Sequence, residues 1–169
     1  HHGGRDPWWF GTEQGYYRPS GLRRRFERLG LERIWPDVDA LADATQWQQF
    51  LALQYQIGEL RRQETITGYV VTELTDAYWE ANGVLDPMRN PKVFHDRFRE
   101  INAPTTLVIS PIRRDVWAGD RFTAELVLSS YDRDAPAHGR VRWRLLVGDE
   151  EADAGEVPIE DWPRAGKRQ

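Results

Sequence analysis

Residues 66–74, ITGYVVTEL, form a strand-length run with apolar side chains on both of its faces. A strand that alternates apolar and polar can rest on a core and leave its other face to water. One that is apolar on both sides needs cover above and below, which is the situation of a parallel strand between layers of helix. The neighbouring residues agree. Trp47, Phe50, Leu53, Ile57 and Leu60 share one stripe of a helix expected over residues 39–62. Asp37, Asp39 and Asp43 sit near its start and Arg61 and Arg62 near its end, the order the helix dipole favours. Past a loop, Asn90 can cap a second helix, Pro91 suits its first turn, and Phe94, Phe98 and Ile101 share a face. Asn102 and Pro104 end it. The expected order is helix, buried strand, loop, helix.

At Pro104 the pattern changes to period two. Residues 105–110 read as a short strand. Phe122, Ala124, Leu126 and Leu128 alternate with Thr123, Glu125, Val127 and Ser129, and Val141, Trp143, Leu145 and Val147 form a further alternating set. Such alternation signals antiparallel strands with one face covered. Turn residues separate them at 118–120 and 132–139. Residues 1–38 are rich in Gly, Pro, Arg and aromatics and read as a long loop, with a short helix over 22–29 ended by Gly30. The acidic stretch 149–161 does not resemble a closing strand. Three strands make an incomplete sandwich and one parallel strand cannot be a sheet, so a piece of a longer protein is expected.

The charge balance is 23 basic against 27 acidic residues, a net of −4, without the basic excess of a nucleic-acid or anionic-membrane binder. With no cysteine, disulfides, thiolate metal sites and thiol catalysis are excluded. No apolar run reaches the roughly 20 residues of a membrane helix. His95 and His138 have no partner at metal-ligand spacing, and the arginines at 23, 24, 25, 28 and 33 are broken by Glu27 and Glu32. No phosphate loop or dinucleotide fingerprint is present, and no cofactor is implied. The eight tryptophans suit cores or sugar-stacking sites.

The segment richest in chemistry is 72–86, TELTDAYWEANGVLD. It begins at the C-terminal end of the expected strand, where parallel α/β folds place their sites. Glu73 shares the side of Tyr69 and Val71. Asp76, Glu80 and Asp86 add carboxylates, Asn82 an amide, and Tyr78 and Trp79 flat faces, a set able to grip sugar hydroxyls and stack on a pyranose ring. A structural reading stands beside this one: a glutamate at a strand end can simply orient a neighbour or pair with an arginine, and Asn82-Gly83 can be a plain turn.

GYVVTELTDAYWEANGVLD followed by NPKVFHDRF resembles the end of the catalytic barrel in glycoside hydrolase family 2, the family of β-galactosidases, β-glucuronidases and β-mannosidases. The likeness runs over roughly residues 39–130 and rests on Thr72-Glu73-Leu74-Thr75-Asp76, Trp79, Asp86 and Pro91-Lys92. It implies an α/β plus β chain: the C-terminal part of a (β/α)8 TIM barrel over 1–103, then the start of an immunoglobulin-like β-sandwich over 104–169. The implied activity is retaining hydrolysis of β-linked O-glycosidic bonds, through two glutamates whose carboxyl groups lie about 5–5.5 Å apart. On that alignment the acid/base precedes residue 1. The nucleophile does too, unless it is Glu13 in GTEQG, which faintly matches the family's pattern and otherwise is a loop carboxylate. Glu73, Asp76, Trp79 and Asn82 are the implied sugar ligands, with the aromatics of Trp8–Tyr17 expected to help wall the pocket. Two positions depart from the family: Thr72 replaces an aromatic residue and Glu73 a neutral amide. The departures leave open a second reading, a non-catalytic carbohydrate-binding or degenerate relative. A third is a free-standing adaptor using the arginine-rich segment or the acidic tail to bind a protein or RNA. The expected partners are a carbohydrate and the rest of the same polypeptide, with no nucleic acid or membrane. The sugar and the cellular compartment stay open.

Overall fold

The computed structural model describes residues 21–77, 80–111, 115–134, 138–160 and 166–168. Helix α1 spans Leu22–Arg28, α2 Val38–Arg62 and α3 Phe98–Asn102. Strands β1 (Thr105–Pro111), β2 (Ala124–Ser130), β3 (Gly139–Val147), β4 (Glu150–Ile159) and β5 (Gly166–Arg168) follow. The chain divides into two compact units, one holding residues up to Ile57 together with Gly68–Ile101, the other Gly58–Thr67 with Asn102 onward.

In the first unit α2 starts where Asp37 accepts a hydrogen bond from the Ala40 backbone N–H at 2.8 Å, satisfying a donor the helix itself leaves unpaired. Of the stripe seen in the sequence, Phe50 and Ile57 are buried and Leu53 and Leu60 half-buried, whereas Trp47 at its start is 37% exposed. Phe50 and Ile57 are buried with Val84, Phe94 and Ile101, and Leu53, Tyr69, Val71 and Phe98 pack around them. Phe50 and Phe94, both essentially inaccessible to water, meet at 5.7 Å between ring centroids. The Arg97 guanidinium lies 5.7 Å from the Trp47 ring and 5.2 Å from that of Phe50, a cation–π arrangement closing the outer end of the stripe.

The expected barrel portion is not what forms. Residues 66–74 are extended, but no strand among the described residues pairs with them and no parallel sheet exists there. Tyr69 and Val71 turn onto the α2 core, whereas Val70 is 91% and Leu74 71% exposed. One apolar face is covered and the other is not, so the doubly buried strand is corrected to a one-sided extended segment. The second helix also starts later than expected. Residues 86–92 are held as a turn by the Asp86 side chain, and a 3-10 turn at His95–Arg97 leads into the short α3.

The immunoglobulin-like sandwich is corrected as well. The second unit holds an antiparallel three-stranded sheet in the order β1-β2-β5 and a separate antiparallel hairpin, β3-β4. The register Thr106↔Ser129 and Val108↔Val127 places those side chains on one face of the β1–β2 pair. That face receives the last turns of α2: Arg61 donates to Thr106 Oγ1 and to the Pro104 carbonyl, and Arg62 joins Glu125 at 3.3 Å and Glu59 at 2.9 Å. The opposite face carries Leu107, Leu126 and Leu128. With Val141, Val157 and Ile159 they line a cavity of about 270 Å³. Cover on both sides explains why Val127, Leu128, Ser129 and Ser130 are all buried.

The acidic stretch is a strand after all. In β4, Glu156 takes both Arg140 (2.7 Å) and Arg142 (2.8 Å) from β3, cross-strand charges that help tie the hairpin. Trp143 lies over Gly155, where an added Cβ would meet its ring at 2.6 Å.

Candidate functional site

The segment singled out in the sequence is a loop folded back on the end of the extended run. Val84 N–H donates to the carbonyls of Glu73 (3.2 Å) and Leu74 (3.1 Å), Leu85 N–H to Leu74, and Asp76 N–H to the Leu85 carbonyl. Gly83 sits where these strands of backbone cross. A Cβ there would lie 2.5 Å from the Thr75 carbonyl carbon and 2.8 Å from the Leu85 oxygen, so only glycine permits the approach.

A buried ion pair pins this loop. Asp76 Oδ1 lies 2.8 Å from Lys92 Nζ, with side-chain exposures of 10% and 4%. Asp76 Oδ1 also accepts from Gly83 N–H at 2.8 Å. The remaining donors of Lys92 go to Gln49 Oε1 (3.0 Å) and the Ala81 carbonyl (2.9 Å), so the ammonium is fully satisfied. Gln49 Nε2 in turn donates to the carbonyls of Asn82 and Gly83. One glutamine on α2 thus holds the loop by both ends of its amide. Nothing in the helix periodicity marks Gln49, because its partners are more than thirty residues away.

The four implied sugar ligands therefore have different places. Asp76 is committed to the Lys92 pair. Asn82 is exposed, its carbonyl taken by Gln49. Glu73 is half-buried, and its Oε1 is buried without a hydrogen-bond partner among the described residues. Trp79 lies outside the described residues, as do Tyr78, Glu13, Trp8 and Trp9. Asp86, the other carboxylate of the segment, accepts from the backbone N–H groups of Met88 and Asn90 at 2.8 Å and from Asn90 Nδ2 at 2.9 Å, a turn-forming role.

A carboxylate oxygen shut away from water with no donor is costly, on the order of 1–3 kcal/mol, more when charged. Among the described residues of this loop it is the buried side-chain oxygen left without a hydrogen-bond partner.

No protein family, curated protein or solved structure matches this chain.

The likeness to family 2 glycosidases accordingly stands on the quoted residues alone. Among the described residues no three His, Cys, Asp or Glu side chains converge as a metal site, and no helix is long and apolar enough to cross a membrane. His95 Nδ1 lies 3.4 Å from its neighbour Asp96, and His138 Nδ1 is 2.8 Å from the Glu160 carbonyl.

Proposed function

We propose that the chain is a portion of a retaining glycoside hydrolase of the family 2 type, acting on β-linked carbohydrate, in which Glu73 is a substrate-binding carboxylate. The observation that carries this reading is the unpartnered, buried Oε1 of Glu73, within the very motif that resembles the family. Carboxylates accept hydrogen bonds from sugar hydroxyls, and a bond to a charged acceptor contributes about 1.5–3 kcal/mol. Asp76, Lys92 and Gln49 hold the loop that carries Asn82 and closes on Glu73. They act on sugar through its shape.

Retaining hydrolysis needs two carboxyl groups about 5–5.5 Å apart. Asp76 and Asp86 are both engaged within the fold, which favours the chain alone being inactive and keeps the second reading, a carbohydrate-binding relative without catalysis, in contention. The test is to recover the native reading frame around the His1 codon and assay its whole product. Hydrolysis of aryl β-glycosides with retention, with kcat/KM cut about tenfold or more by Glu73→Ala, supports the glycosidase. Sugar binding without hydrolysis supports the second reading. A product that neither binds nor hydrolyses β-glycosides overturns both.

A further inference from the structure

The β3–β4 hairpin leaves one edge of β3 open. Among the described residues β3 pairs with β4 alone, along nine residues or roughly 30 Å. Alternation puts Arg140, Arg142 and Arg144 on one face of β3 and Val141, Trp143 and Leu145 on the other. The arginine face is unbalanced: Arg140 and Arg142 share the single carboxylate of Glu156 and remain 68% and 80% exposed, and Arg144 stands across from Ala154. The apolar face is only half covered, with Trp143 37% and Leu145 40% exposed, and it runs on through Val141 into the apolar cavity.

We propose that the open edge of β3 is a docking site for an extended polypeptide segment in which acidic residues alternate with apolar ones. Such a strand completes the backbone ladder and sets its carboxylates against the three arginines. Its apolar side chains cover Trp143 and Leu145. On the other edge, Glu156 of β4 already takes two of these arginines, Arg140 and Arg142. Charge also argues against a second β3 as occupant, since antiparallel pairing would bring arginine rows together. The inference is independent of the sugar-binding reading.

The experiment titrates the full 169-residue chain with a capped Glu-Val repeat peptide and, in parallel, with a Lys-Val repeat, following amide exchange by NMR. The acidic peptide is expected to bind and to slow exchange at alternate β3 amides. Its affinity should fall about tenfold as salt rises from roughly 50 to roughly 300 mM. Arg144→Glu, at a position with no carboxylate opposite it in the hairpin, should weaken binding about tenfold, and Arg144→Lys should retain it. Absence of binding, equal binding of the basic peptide, or protection confined to β4 overturns the proposal. So does dimerisation of the peptide-free chain through β3, which would make a second copy the occupant.

Discussion

At the scale of the residue, the loop over 73–92 depends on a few atoms that admit no substitute. Lys92 spends all three donors on Asp76, Gln49 and Ala81. Replacing Lys92 by Ala leaves the Asp76 carboxylate buried against Gly83 N–H alone, and a loss of about 3–5 kcal/mol is expected in chemical denaturation. Adding Asp76→Asn should recover part of that loss, because the orphaned charge is then gone; a double variant no better than the single would contradict the account. Gly83→Ala should cost about 1–3 kcal/mol, since the new methyl meets backbone rather than a movable side chain. The Gly83 requirement was half legible, as an Asn-Gly turn. Lys92 was legible only as part of a Pro-Lys match, and Gln49 not at all.

Elements show a clearer division. Helix α2 was readable because its stripe repeats with the helical period, and each buried position lies three or four residues from the next. β1 was readable as a short strand, and β2 and β3 from period-two alternation. β4 was not, because it is a strand through its backbone pairing with β3, and its own residues are those a sequence reading assigns to a solvated tail. The C-terminal turns of α2 held another surprise. Arg61 is 6% exposed and donates to Thr106 and Pro104; among the described residues its buried Nε has no partner, nor has Ser129 Oγ on the facing strand. A buried cation bound only by neutral acceptors recovers little of its desolvation cost. Arg61→Met is therefore expected to leave stability unchanged or raise it, with melting temperature as the readout; a drop of several degrees would show that the hydrogen bonds outweigh the burial of charge.

At the scale of the whole molecule, one surface pair contributes to acid sensitivity. The Arg97 guanidinium hydrogen-bonds Glu100 and holds its carboxyl below the ordinary glutamate value near 4.5, against a smaller opposing effect of burial. A depressed folded value means that the pair stabilises the protein above the ordinary range and stops doing so as pH falls through the lowered one. Wild type and Glu100→Gln should therefore differ in melting temperature at neutral pH and converge in acid; a difference that persists at the lowest pH would rule out the charge as its source. The sequence by itself determined the periodicities: which side chains share a helix stripe, which alternate, where Gly30 ends one helix and Asp37 begins the next, and which segment gathers carboxylates. These depend on neighbours two to four residues apart. Tertiary structure alone decided that residues 66–74 lie against a helix on one side only, that an acidic stretch becomes β4, and that Asp76 serves the fold while Glu73 keeps an unused oxygen. Each of those outcomes depends on partners far along the chain, and the same local pattern is compatible with burial on one face or two until those partners are in place.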